Sequence, residues 1–194
     1  MDLKLLAWGR ATARRLGPKA PPVLWLFTDT QRLPDPRFAA ARLPKGISGV
    51  VLRHDSHPGR VAIGRDLARI CRERRLALLV AGDARLAAAL GAGVHLRGGR
   101  WPGPLRVRGL VTSSAHSLPD LRRARRNGAA IAFLSPAFAT ASHPGEPALG
   151  ASRWARLAAR AGLPVAALGG IGGGSVRRLP RVLCRGAAAI GALA

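Results

Sequence analysis

The sequence is organised around the stretch AFLSPAFATASHPG, which occupies residues 132–145. The apolar run from Ala129 to Leu134 predicts a buried strand. This run breaks at Ser135-Pro136, because a proline cannot donate a hydrogen bond to a sheet ladder. Ligands of parallel α/β sheets bind beyond the carboxyl ends of the strands, so the polar side chains after the break are candidate ligand contacts. They are Thr140, Ser142 and His143.

A second strand end further along the chain is rich in glycine. Residues 163–168 form an apolar run that opens into the sequence GGIGGGS at residues 169–175. Glycines at a strand end allow backbone N–H groups to approach an anion closely, which indicates an anion site at this glycine cluster. One strand end with hydroxyl groups and one with glycines together indicate a phosphorylated small molecule as the ligand.

The whole chain repeats the same strand and helix alternation. Eight apolar strands are predicted, at residues 23–27, 49–52, 76–80, 94–96, 107–112, 129–134, 163–168 and 187–190. Helical or irregular segments separate them, so the strands are expected to be parallel. Eight units favour a closed (β/α)8 TIM barrel over an open doubly wound sheet. We predict one domain over residues 1–194, with the barrel at residues 23–191.

The N-terminal segment predicts an additional helix outside this repeat. Apolar residues at helical spacing over residues 3–16 indicate an amphipathic helix, which Gly17-Pro18 ends, and a linker follows to residue 20. The sequence stops soon after the eighth strand, which predicts a truncated last helix. We expect the N-terminal helix to cover that place, because a closed barrel puts its first and last strands side by side.

The composition is strongly basic, with 32 Lys and Arg against 9 Asp and Glu and a net charge of +23. Such a charge attracts polyanions. Taken alone, it would support nucleic-acid binding as the function. The arginines are scattered along the chain, however, and no basic tail with interleaved aromatic residues is present. The sequence therefore predicts weak association with polyanions at low salt and no specific nucleic-acid partner.

Other features favour a cytoplasmic protein without a membrane partner. No apolar run reaches the length needed to span a bilayer, and the N-terminus does not resemble a signal peptide. Cys71 and Cys184 lack a CxxC spacing, so we predict two buried thiols in a reducing compartment rather than a disulfide. The oligomeric state stays open.

Polar residues fall at the predicted carboxyl ends of most strands, where TIM barrels bind their ligands. Arg53 is predicted to contact an anion, because a guanidinium at a strand end is poorly accommodated without one. Asp55 is expected to pair with it, projecting on the same side by strand alternation. Arg53 and His116 are the candidate catalytic residues, and Asp83 is equally consistent with a metal ligand and a helix N-cap. The full set is Thr28, Asp29, Arg53, Asp83, His95, Ser114, His116, Thr140, Ser142, Gly169, Gly170 and Gly191.

Six strings at these strand ends resemble the thiamine phosphate synthase family and its TenI-type relatives, the thiazole tautomerases. In chain order they are LWLFTD from Leu24, VVLR from Val50, GAGVHL from Gly91, SAHS from Ser114, SPAFAT from Ser135 and GGI from Gly169. They keep the order and approximate spacing of the family from about residue 23 to residue 191. The resemblance implies a TIM barrel that joins a thiazole phosphate to a pyrimidine pyrophosphate.

The resemblance also implies roles for individual residues. Arg53 and Ser114 would contact the pyrophosphate, and Asp83 would help to hold Mg²⁺. Thr140 and Ser142 would contact the thiazole phosphate, together with the backbone N–H groups of Gly169 and Gly170. Gly191, at the end of the last strand, is predicted to belong to the same phosphate site.

Several positions depart from the family pattern. The Asn before the metal-binding Asp is replaced by Gly82, and the second metal-binding Asp has no counterpart in Arg97-Gly98-Gly99-Arg100. A Gln and a Lys near the strand-two Arg are replaced by Val51 and Asp55. In addition, His143 replaces a phosphate-site Lys, and Pro136 replaces the catalytic His of the tautomerases.

Two functions are compatible with this pattern of matches and departures. One is the synthase reaction, with Arg97 or Arg100 supplying positive charge, since guanidinium binds phosphate in a bidentate manner. The other is a TenI-like or degenerate barrel that binds a thiazole or phosphate ligand with altered or no catalysis.

Overall fold

The fold is a closed barrel of eight parallel strands in sequence order, as the sequence predicts. The computed structural model describes residues 1–140, 145 and 147–194, so the predicted ligand contacts Ser142 and His143 lie outside the described residues. The strands are β1 (Leu24–Phe27), β2 (Ser48–Leu52), β3 (Ala77–Ala81), β4 (Gly93–Leu96), β5 (Val111–Ala115), β6 (Ile131–Leu134), β7 (Val165–Leu168) and β8 (Cys184–Ala189).

Helices lie between the strands and cover the outside of the barrel. They are α1 (Leu3–Leu16), α2 (Arg37–Arg42), α3 (Arg60–Arg74), α4 (Ala84–Ala89), α5 (Leu118–Arg126) and α6 (Gly150–Ala159), with 3₁₀ turns at Val176–Arg178 and Gly191–Leu193. None of the helices in the described part of the chain combines the length and the apolar character needed to cross a membrane.

The predicted strand bounds differ most from the structure at β5 and β8, and β8 begins at Cys184 rather than at residue 187. Strand β5 begins at Val111 rather than at Val107, because Gly109 has a φ of 118°, which a regular strand does not accommodate. After β7, the chain forms only a 3₁₀ turn that ends at Arg178. Pro180 disfavours helical geometry at the preceding residue, and Leu179 is accordingly extended, with a ψ of 143°.

Large aromatic side chains fill the barrel interior. Trp25 and Phe27 of β1 both contact Phe133 of β6 edge to face, with ring centroids 5.5 Å and 4.9 Å apart. Gly49 of β2 is paired with Trp25, and a Cβ at this position would overlap the indole ring. The barrel is therefore packed with side chains below its mouth, and ligand contacts are confined to the carboxyl ends of the strands.

Helix α1 covers the place between β8 and β1, in agreement with the prediction. The Asp2 N–H donates to the Ala192 carbonyl at 2.8 Å. Gly9 packs closely on Leu24 of β1, since a Cβ added to Gly9 would lie 2.6 Å from the Leu24 side chain. The Asp2 carboxylate caps α1 by accepting from Leu5 N at 3.0 Å and also accepts from Gly173 N at 2.6 Å. One side chain thus joins α1 to the glycine-rich segment after β7.

Candidate active site

A cavity of about 380 Å³ lies at the carboxyl ends of the strands, and we call it the central cavity. Because side chains alternate along a strand, Gly49, Val51 and Arg53 all face the barrel interior. Arg53 lies just beyond the end of β2, so its side chain is at the mouth of the barrel. The cavity brings together the predicted residues Arg53, Ser114 and His116. Its other polar side chains are those of Asp55, His95, Arg97 and Ser135.

A second cavity of about 210 Å³, the glycine cavity, lies beside it, and Leu168 contributes to both walls. Four predicted phosphate contacts line it: Thr140, Gly169, Gly170 and Gly191. Gly169 and Gly170 have φ values of 86° and 64°, and a Cβ on Gly170 would collide with the Ala139 carbonyl oxygen. Glycine is required here because the segments after β6 and β7 lie in direct backbone contact.

Arg53 has a fixed backbone and an exposed side chain. Its N–H donates to Thr28 Oγ1 at 2.8 Å, and that oxygen lies 2.8 Å from Nδ1 of the buried His54. His54 Nε2 donates to the Pro34 carbonyl at 3.1 Å. The Arg53 guanidinium forms no ion pair with any residue that the structure describes, so this buried chain of hydrogen bonds supports a cation that is available to a ligand.

The predicted pair between Arg53 and Asp55 is not formed. The Asp55 N–H donates to the Arg53 carbonyl at 2.6 Å, which turns the chain sharply after β2. Strand alternation therefore no longer sets the direction of the Asp55 side chain. Its carboxylate instead pairs with Arg97 at 2.5 Å and with Arg60 at 3.4 Å.

His116 presents one ring nitrogen to the central cavity. Its Nδ1 lies 3.0 Å from the Ser135 carbonyl, which can only accept, so Nδ1 carries a hydrogen. The backbone N–H of His116 donates to Asp120 Oδ2 at 3.1 Å, which fixes the start of α5 against the site. Nε2 has no hydrogen-bond partner in the described ranges and is the ring atom left to contact a ligand.

His95 belongs to the floor of the cavity. Its side chain is buried, its Nδ1 lies 2.9 Å from Thr112 Oγ1, and its ring contacts Phe27 at a centroid distance of 5.3 Å. Burial, together with the nearby positive charges of Arg53 and Arg97, lowers the pKa of His95 to about 3. His95 is therefore a structural residue of the cavity floor.

The residues near Asp83 do not fit a bound Mg²⁺ ion. Asp83 Oδ1 caps α4 by accepting from Leu86 N at 2.9 Å, and Oδ2 lies 3.5 Å from Arg60 Nη1. A divalent cation at Asp83 would therefore lie beside a guanidinium of the same sign. The described residues contain no group of three His, Cys, Asp or Glu side chains that could hold a metal, and Asp83 is not among those that line either cavity.

Two arginines at the site were not identified from the sequence. Arg60, the first residue of α3, bridges Asp55 and Asp83, and Arg32 lines the glycine cavity. Both lie beyond strand ends, in segments whose direction depends on turns that periodicity does not reveal. Arg97, in contrast, could be selected in advance as a cation that follows a strand end.

Comparison with known proteins gives consistent matches. The family model described as thiamine monophosphate synthase matches residues 24–193. The chain is 36% identical over 141 residues to a thiamine-phosphate synthase of Parasynechococcus marenigrum (strain WH8102), a match that covers 69% of this chain and 40% of that protein. It is also 32% identical over 136 residues to the candidate thiamine-phosphate synthase 2 of Aquifex aeolicus (strain VF5), which covers 66% of this chain and 73% of that protein.

Solved structures agree on the fold. A thiamine phosphate pyrophosphorylase from Pyrococcus furiosus superposes with a TM-score of 0.71 at 23% identity, covering 87% of this chain and 85% of that one. A second, from Bacteroides thetaiotaomicron, has a TM-score of 0.57 at 18% identity, covering 88% and 83%. At these identities the likeness establishes the barrel architecture.

Proposed function

Because the chain belongs to the thiamine monophosphate synthase family, we propose that it joins a thiazole phosphate to a pyrimidine pyrophosphate, releasing thiamine phosphate and pyrophosphate. In this reaction the bond between the pyrimidine methylene carbon and a pyrophosphate oxygen breaks, and pyrophosphate leaves with the electron pair. The thiazole nitrogen donates its lone pair to the same carbon and forms the new C–N bond. No proton has to be transferred for these electrons to balance.

The observation that carries the proposal is the pair of adjoining cavities. The central cavity offers Arg53, Arg97 and the Ser114 hydroxyl, which suit a pyrophosphate that gains negative charge as it leaves. The glycine cavity offers the hydroxyl of Thr140 and the backbone near Gly169 and Gly170, which suit a phosphate monoester. Leu168 lies between them, where the two heterocycles would meet.

His116 and Ser114 would hold the pyrimidine portion and its first phosphate. Ser114 Oγ already accepts from Gly98 N at 3.1 Å, so its own hydrogen can be donated to a phosphate oxygen. His116 Nε2 can accept a hydrogen bond from the pyrimidine, since Nδ1 carries a hydrogen that it donates to the Ser135 carbonyl.

We also propose that the protein is cytoplasmic, because Cys71 and Cys184 are both free and buried and suit a reducing compartment.

The test is to incubate the purified protein with thiazole phosphate and pyrimidine pyrophosphate and to measure thiamine phosphate. Product formation above the rate without protein is expected. Absence of product under conditions in which a standard synthase works would contradict the proposal. In that case calorimetry with each substrate distinguishes a barrel that binds without turnover from one that binds neither.

A further inference from the structure

Arg60 supplies a cation between Asp83 and Asp55, the latter a lining residue of the central cavity. Its Nη2 lies 3.4 Å from Asp55 Oδ1, and its Nη1 lies 3.5 Å from Asp83 Oδ2. Nη2 also donates to the Ala81 carbonyl at 2.7 Å, and only 14% of the side chain is exposed. This guanidinium thus places positive charge between two carboxylates beyond the ends of β2 and β3.

Arg97 occupies the space directly above Gly82. A Cβ on Gly82 would lie 2.9 Å from Arg97 Nε and 3.0 Å from its Cζ, so any side chain at position 82 would displace the guanidinium. Arg97 lines the central cavity, and 56% of its side chain remains exposed although it pairs with Asp55. A ligand can therefore reach the outer face of the guanidinium.

The loop that carries Arg97 is fixed rather than loose. The Arg97 carbonyl accepts from Arg100 N at 3.0 Å, and Arg123 of α5 donates to the Gly98 carbonyl at 2.7 Å. Asn127 donates to the Gly99 carbonyl at 2.7 Å, and Gly99 N donates to Ser113 Oγ at 2.9 Å. Binding of an anion by Arg97 would therefore require little reordering of the backbone.

Three guanidinium groups and two carboxylates meet at this rim of the barrel: Arg53, Arg60 and Arg97 against Asp55 and Asp83. We propose that this arginine cluster replaces a divalent metal, so that Arg53 and Arg97 bind the pyrophosphate of the substrate directly while Arg60 neutralises the two acids. Arg60 is a positioning residue in this scheme, and Arg53 and Arg97 touch the ligand. The inference rests on the proposed function and predicts that binding of the leaving group requires no Mg²⁺.

The test is calorimetry with inorganic pyrophosphate in buffer treated with chelating resin, with and without added Mg²⁺. Resin is preferred to a soluble chelator, because a polycarboxylate would compete for the same arginines. We expect the affinity of the wild-type protein without metal to lie within about threefold of that with Mg²⁺. An affinity that falls more than tenfold when the metal is removed would overturn the proposal.

Matched variants separate a specific site from the general basicity of the chain. Arg97→Met should weaken pyrophosphate binding in metal-free buffer at least tenfold, whereas Arg100→Met should leave it unchanged. Both variants remove one positive charge from the same loop. Of the two arginines that the sequence offered as phosphate ligands, only Arg97 is among the residues that line the cavity, so Arg100 serves as the control. Equal effects of the two variants would contradict a defined site, and thermal unfolding of both verifies that the fold is retained.

Arg60 requires a readout other than stability alone. Arg60→Met leaves Asp55 and Asp83 without their shared cation, so pyrophosphate binding in this variant should improve on addition of Mg²⁺, whereas binding to the wild-type protein should not. If Mg²⁺ affects the two proteins equally, Arg60 does not act in place of a metal.

Turnover separates this inference from the proposed function. Thiamine phosphate formed at similar rates with and without Mg²⁺ supports both. Turnover that requires Mg²⁺ overturns the metal-free inference and leaves the proposed function intact. The protein could also bind pyrophosphate without metal, in a way that depends on Arg97, and yet show no turnover in either buffer. That result overturns the proposed function but still supports a metal-free anion site.

Discussion

Arg53 combines a backbone held by buried hydrogen bonds with a guanidinium that is exposed at the cavity mouth. We expect Arg53→Ala to weaken binding of a phosphate-bearing ligand by about 2 kcal/mol, the scale of a lost charge-assisted hydrogen bond. The free energy of unfolding should change little, because the support runs through the backbone N–H and not through the side chain. Calorimetry and urea unfolding measure the two quantities.

The exposed Arg122 of α5 provides the control, since Arg122→Ala removes the same charge away from both cavities. If Arg53→Ala unfolds the protein while the affinity of the folded fraction is unchanged, Arg53 is a structural residue.

His95 should make stability depend on pH. Its folded-state pKa of about 3 lies below the ordinary value of 6.5, so the unfolded chain takes up a proton in this interval before the folded protein does. The contribution of His95 to stability is therefore complete above pH 6.5 and is lost as the pH falls toward 3. Urea unfolding at several pH values should show a shallower decline for His95→Gln than for the wild type. Parallel curves for the two proteins would show that His95 is not the source.

The sequence predicts those site residues whose position is set by the end of a strand. A closed barrel brings all carboxyl ends to one rim, so Arg53, Ser114 and His116 could be grouped before their contacts were known. The partners of Asp55 could not be predicted, because the chain turns immediately after β2 and the direction of that side chain depends on the turn.

At the level of elements, α1 depends on its first capping residue. Asp2 accepts hydrogen bonds from Gly173 N and from Leu5 N, and these bonds lower the pKa of its carboxyl group. Asp2→Ala should lower the free energy of unfolding by about 1–2 kcal/mol, as for other lost N-caps. Since the folded-state pKa is lowered, this contribution is present above the ordinary pKa of 3.8 and is lost as the pH falls below it.

Asp2→Asn is the matched variant, because an amide oxygen can still cap the helix. It should retain most of the stability at neutral pH while losing the dependence on acid pH. A loss as large as that of Asp2→Ala would show that the charge, and not the acceptor oxygen, stabilises α1.

The elements themselves were largely predictable from apolar runs. All eight strands and the N-terminal helix occur close to their predicted positions, because buried parallel strands are continuously apolar. The start of β5 at Val111 departs from the apolar pattern because Gly109 has a positive φ that a regular strand does not accommodate.

For the whole molecule, the net charge of +23 acts in addition to the specific site. We expect an unrelated DNA oligonucleotide to bind weakly at low salt and to be released near 0.15 M salt, because scattered arginines gain affinity mainly by releasing counterions. Fluorescence anisotropy against salt concentration measures this loss. The Arg97→Met and Arg100→Met variants should lose oligonucleotide affinity equally, although only Arg97→Met should affect pyrophosphate. Salt-resistant binding to one defined oligonucleotide would instead indicate a nucleic-acid partner and would contradict the view that the basicity is a diffuse property of the surface.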